Sequence, residues 1–167
     1  MSTVPVPASI SEALEMLQAS AGYLADVDAA ELPVPVLAQS LRGLGRADAV
    51  TAVAWARLLA AYDAQNGHHA DGQRTLRTWL VHVLRVTRRQ AREYQGLEAL
   101  ARDHEPLLAG LRAQALTKSV ALQLAAWTQA IPPEFRAEAE QILVAAAQAG
   151  ADLRGDRVPY RPAGPGR

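Results

Sequence analysis

Between Leu76 and Leu100 the chain reads LRTWLVHVLRVTRRQAREYQGLEAL, and this stretch constrains the fold most. Leu76, Trp79, Leu80, Val83 and Leu84 recur at i, i+3, i+4, i+7 and i+8, which on a helix draws one apolar stripe. Arg85-Val86 interrupts it. Thr87 with Gln90 three residues on forms a capping box that satisfies the free N–H groups of a new helix. The spacing predicts that this second helix buries Ala91, Tyr94, Leu97 and Ala101. It turns Arg88, Arg92 and Gln95 outward, with Arg89 on the flank. Two helices joined by a three-residue turn, the second opening with arginines, make a helix-turn-helix pattern, so DNA is the first partner to consider.

The rest of the composition agrees with helix. The chain holds 35 alanines, abundant leucine and few aromatics, and its 167 residues suffice for one domain with a proper core. Charge balances at 17 against 17, which excludes a generally basic nucleic-acid binder and leaves room for a local patch. Such a patch exists. From Met1 to Asn66 seven acids face three arginines, whereas from Gly67 to Arg102 seven arginines face three acids. One lysine beside 16 arginines points to a GC-rich coding sequence and a bacterial source. With no cysteine, disulfides and thiolate zinc sites are excluded. Glu12 and Glu15 fall where a signal peptide needs its apolar core, and the apolar tract Val50 to Tyr62 is broken by Arg57 and too short for a bilayer. A cytoplasmic protein without a membrane partner is expected.

The segments order themselves by caps and breakers. Residues 1–8 read as a disordered lead-in, 9–150 as one helical domain, and 151–167 as a tail or truncated linker. Ser9 and Glu12 open a first helix through about Leu24, with Ala13, Leu14 and Leu17 among its apolar positions. The proline-bearing connection Asp26–Pro35 leads into a long alanine-rich helix from near Val34 to Gln65. Its expected stripe is Leu37, Leu41, Leu44, Ala47, Val50, Ala54, Leu58 and Ala61, and Asn66-Gly67 stops it. After the helix-turn-helix, His104-Glu105-Pro106 starts a helix burying Leu107, Leu108 and Leu111. Thr117 caps the next, with Val120, Ala121, Leu124 and Trp127 inward. Pro132-Pro133 opens the last, with Phe135, Ala139, Ile142, Leu143 and Ala146 on its stripe. Val86-Thr87-Arg88 echoes in Leu116-Thr117-Lys118 at a spacing of 30, so two helix pairs of similar geometry are expected, only the first strongly basic. The fold class is all-α: a multi-helix domain with two helix-turn-helix-like pairs after a long helix.

The candidate nucleic-acid residues are Arg77, Arg85, Arg88, Arg89, Arg92 and Gln95. Their guanidinium and amide groups suit phosphates and base edges. The competing view is a solvated helix face that needs no ligand. The turn position often filled by glycine holds Arg85, and Ala115 in the second copy, which counts against DNA. Gly67 to Thr75 mimics a phosphate-binding loop, but it follows a helix and Gln73 stands where that loop needs lysine. His68, His69, Asp71, His82 and His104 read as solvated rather than as a metal site, and no nucleophile elbow or cysteine nucleophile occurs. Trp55, Trp79 and Trp127 sit on or beside apolar stripes and read as core. No cofactor, metal or catalytic residue is expected.

The tract ARLLAAYDAQNGHHADGQRTLRTWLVHVLRVTRRQAREYQGLEAL, followed by LAGLRAQALTKSVALQLAAWTQAIP, resembles domain-of-unknown-function family 222, the 13E12-repeat proteins of GC-rich bacteria. The shared series is an acidic-proline entry (LADVDAAELP), a helix ending RLLAAYDA, a D-G loop and a T-x-x-x-W-L segment. A V-T-R-R-x-A-R helix, an A-x-x-L-T-x-x-x-A helix and a proline break follow. The resemblance covers about Leu24 to Leu153. It implies a helical module of the kind that precedes an HNH endonuclease domain, here without the catalytic part, and therefore not an enzyme. The expected function is DNA binding through the arginine-rich helix-turn-helix. The alternatives are an interaction or homodimerisation module that positions an HNH nuclease partner through the Val34–Gln65 helix, or a truncated remnant.

Overall fold

A computed structural model describes residues 6–150; residues 1–5 of the lead-in expected over 1–8, and the tail expected over 151–167, lie outside them. The protein is all-α. Among the described residues there are seven helices and no strand: α1 Ile10–Asp26, α2 Val34–Ala64, α3 Leu76–His82, α4 Arg88–Asp103, α5 Glu105–Arg112, α6 Lys118–Thr128 and α7 Pro133–Gln148. Single 3-10 turns at Ala29–Glu31 and Gly67–His69 precede α2 and follow it. The chain falls into two compact units that meet between Arg42 and Gly43, within the span of α2. No helix among the described residues is long and apolar enough to cross a membrane.

In the first unit, Ser9 caps α1. Its Oγ accepts the Glu12 N–H at 3.1 Å, and Glu12 Oε2 accepts the Ala8 N–H at 2.6 Å, one residue before the cap itself. No side chain of α1 is buried, and Ile10, Leu14 and Leu17 are exposed. Asp28 holds the following turn by accepting from the Ala30 N–H at 3.1 Å.

The second unit carries the core. Ala49, Ala52, Val53 and Ala56 of α2 pack with Leu97 and Leu100 of α4, Leu107, Leu108 and Leu111 of α5, Leu116, and Ala121 and Leu124 of α6. A smaller cluster joins Leu59 to Leu76, Leu80 and Ala91, fixing α3 against α2 and α4. Trp55 and Tyr94, with ring centroids 4.6 Å apart, pack against both clusters. A Cβ on Gly96 would meet Leu122 Cδ2 at 2.9 Å, so α6 crosses α4 where α4 has no side chain.

The expected faces of α2 and α7 are turned, and that of α6 departs at one residue. On α2 the buried stripe is Ala49, Ala52, Val53, Ala56 and Leu59, while Leu41, Leu44, Val50 and Leu58 are exposed. The expected and the buried stripes lie about 160° apart on this helix, nearly opposite faces, and the one richer in alanine lets other helices approach closest. In this rotation Asp48 lies 3.6 Å from Lys118 Nζ. On α6, Ala121 and Leu124 are buried as expected and Val120 packs against the core, but Trp127 is 47 % exposed and Thr128 takes its place inward. On α7, Phe135 and Ile142 are exposed, and Glu140, Leu143, Val144 and Ala147 turn inward. One buried polar group explains both α6 and α7. Glu140 Oε1 accepts from Thr128 Oγ1 at 2.7 Å and lies 2.6 Å from His104 Nδ1, and all three side chains are buried. Thr128 and His104 meet Oε1 only, and the buried Oε2 has no hydrogen-bond partner; the paired oxygen holds the carboxylate inward while Phe135 and Ile142 stay exposed.

Candidate nucleic-acid interface

Thr75 begins the site. Its hydroxyl accepts the Thr78 N–H and the Thr78 hydroxyl accepts the Thr75 N–H, both at 3.2 Å, a reciprocal box that starts α3. The preceding loop is pinned by Asp71, which accepts from Trp79 Nε1 at 2.6 Å. The Tyr62 ring packs on Trp79 at a tilt of 46°, with centroids 4.6 Å apart. Trp79 is thus half-buried, with its N–H satisfied at the loop.

The expected helix pair forms, with a longer turn. α3 ends at His82, so Val83 and Leu84 leave the stripe and are exposed, and the connection is Val83–Thr87 rather than three residues. Arg85 adopts φ +55°, the left-handed position expected to want glycine, and Val86 N–H reaches back to Leu80 O at 3.4 Å. Thr87 Oγ1 accepts the Gln90 N–H at 3.1 Å and starts α4. Half of the expected box is present, since the Gln90 amide points to Tyr94 Oη at 3.5 Å.

The second pair repeats the cap but not the turn. Thr117 Oγ1 accepts the Val120 N–H at 3.4 Å, 30 residues after its counterpart. The left-handed residue there is Gln114 rather than Ala115, one place nearer the preceding helix than Arg85 is in the first turn. Charge separates the pairs further. Lys118 Nζ lies 3.1 Å from Glu93 and 3.6 Å from Asp48; burial pulls its amine down, but the two carboxylates outweigh that and hold it above the usual lysine value. Lys118, at the second pair's helix start, is therefore matched by two carboxylates of the same chain.

Arg77, Arg85, Arg88, Arg89 and Arg92 are all exposed, and among the described residues none of them forms an ion pair. Arg92 Nε reaches only the Arg88 carbonyl, at 3.4 Å. Arg77 and Arg88, on different helices, line one groove of about 360 Å³ with Thr78, Val81 and His82. Two guanidinium groups held in one groove without a carboxylate repel each other and favour an anion between them. Gln95 shares the α4 face with Arg88 and Arg92 by spacing but is half-buried, and it lines a different cavity.

That second cavity, about 490 Å³, lies where α2 ends and α3 meets α4, and it was not legible in the sequence. Asp63, His68, Arg74, Gln95, Glu98 and Arg102 line it. His68, expected in a solvated loop, is buried, because the left-handed Asn66 turns the chain back over the end of α2. Its Nδ1 lies 3.4 Å from Asp63 Oδ1 without hydrogen-bond geometry and has no other partner. Glu98 is also buried. Burial pushes its carboxyl above the usual carboxylate range, Arg102 pulls it down, and Asp63 and Asp103 push it up again. Arg102 Nη1 donates to Glu98 at 2.8 Å and its Nη2 lies 2.9 Å from Asp103. The one available signal was Glu98, an acid a single residue beyond Leu97 on an otherwise apolar flank. Among the described residues no three His, Asp or Glu side chains group to hold a metal ion.

Compared with known protein families, with curated proteins and with solved structures, the chain matches none.

Proposed function

We propose that this protein is a non-catalytic helical DNA-binding module acting in the bacterial cytoplasm, related to the modules that accompany HNH nucleases. It contacts DNA through Arg77, Arg85, Arg88, Arg89 and Arg92 of the α3–α4 pair. The observation that carries the reading is concentration: five arginines that are exposed and unpaired among the described residues fall within the 16 residues from Arg77 to Arg92, on one helix pair, whereas the neighbouring cations Lys118 and Arg102 are matched by carboxylates. Guanidinium groups left free on one helix pair neutralise phosphates, and the Arg77–Arg88 groove presents two of them to one strand. The resemblance to the 13E12-repeat proteins supports the same reading by analogy. Fluorescence anisotropy with a labelled duplex at low ionic strength tests it: the wild-type chain binds, and the double variant Arg88→Ala/Arg92→Ala binds less tightly while keeping its melting temperature.

A second reading, a homodimerisation or docking module for a nuclease partner, draws on the exposed Leu44, Val50 and Leu58 of α2. Sedimentation equilibrium decides it: a monomer at high micromolar concentration removes the dimer.

A further inference from the structure

We propose that α1 is the surface through which two copies of this chain pair, the helix of one lying antiparallel on that of the other. This rests on the dimer reading above, whose surface it places on α1 rather than α2, and not on the arginine face. Five residues carry it. Ile10, Leu14, Leu17, Ala21 and Leu24 follow one another at alternating steps of four and three, the 3.5-residue period of a coiled-coil seam. A helix laid on a globular core shows a broader apolar face than this line. All five are exposed, the four large ones to 47–69 %.

The first unit holds nothing that could cover them. Among its described residues, 6 to 42, none is buried, and in α1 only Ala13 and Met16 are partly covered. A helix of 17 residues draws its stability from a packed face and is marginal in water without one. The seam is therefore the part of the chain that gains most from a partner.

Three features make that partner a second copy. Charge permits it. The charged residues of α1 are the acids Glu12, Glu15 and Asp26, which lie about 140–160° round the helix from the centre of the seam. The flanking positions hold Ser11, Ala13, Gln18, Ser20 and Ala25, so two acidic helices meet here without setting carboxylates face to face. Symmetry favours it. Ile10 and Leu24 stand seven residues to either side of Leu17, and a two-fold axis at Leu17 lays each seam on the other along its full length. Area suffices for a weak dimer. The four large seam residues offer roughly 400 Å² per copy, and Val34, Val36 and Leu41 of the same unit raise this to about 700 Å², against roughly 800 Å² per partner in a stable interface.

The test is sedimentation equilibrium of the full chain across the micromolar range. The wild type shows a reversible monomer–dimer equilibrium. Leu14→Asp/Leu17→Asp weakens it at least about tenfold, because unpaired carboxylates enter the seam. Neither residue is buried, so the monomer keeps its melting temperature. Leu58→Asp, on the exposed face of α2, leaves the dimer intact. The chain has no cysteine, so introduced thiols report the pairing directly. Oxidation joins Leu17→Cys chains to each other and Ile10→Cys chains to Leu24→Cys chains, but not Glu15→Cys chains to each other. A monomer at high micromolar concentration overturns both this proposal and the dimer reading. A dimer that survives Leu14→Asp/Leu17→Asp, or that Leu58→Asp dissociates, overturns the α1 surface alone.

Discussion

Arg85 carries two loads that a single substitution separates. Its φ of +55° is a conformation that costs a side-chain-bearing residue about 1–2 kcal/mol and costs glycine nothing, apart from glycine's larger folding entropy. Arg85→Gly should therefore stabilise the fold by about 0.5–1 kcal/mol in urea unfolding while removing one cation from the interface. Gln114→Gly, at φ +59° in the second turn, should give a similar stabilisation with no effect on binding, which isolates the backbone term. Glu98 gives a pH signature. Its folded carboxyl lies above the usual range because burial disfavours the charged form, so between the unfolded and folded values the folded state holds more protons. Stability should fall as pH rises through that window, and Glu98→Gln should remove this part of the slope. A wild-type curve that rises through the window would contradict the assignment.

At the scale of the elements, α2 shows how far apolar periodicity reaches. Leu58 belongs to the stripe expected from the sequence but is 54 % exposed, whereas Ala56 is fully buried between helices. Leu58→Asp should change stability by less than about 0.5 kcal/mol, and Ala56→Leu should cost about 1–3 kcal/mol by overpacking. The reverse ranking in denaturant midpoints would show that α2 is rotated. The caps were legible, since Ser9, Thr87 and Thr117 act through their own hydroxyls within three residues. So were the leucine pairs of α5, where no second register competes. The face of α7 and the Thr128 end of α6 were not, because Glu140 turns inward for partners 12 and 36 residues away, and no local pattern encodes a pairing at that distance. The cavity was hidden for the same reason. His68 lies in a loop, and only the left-handed Asn66 brings it back against α2.

For the molecule as a whole, net charge is zero, so long-range attraction to DNA is weak and binding must come from local contacts. That makes salt dependence the decisive readout. If three or four of the exposed arginines neutralise phosphates, log affinity against log salt should fall with a slope near about −3, from the release of condensed counterions. Arg88→Ala/Arg92→Ala should bring that slope about two units closer to zero with an unchanged circular dichroism spectrum. The measurement is a titration of one duplex at several salt concentrations, wild type beside the double variant. A slope near −3 falling to about −1 is the predicted result. No wild-type binding at low salt, or equal slopes for both proteins, would show that the arginine face is only a solvated surface.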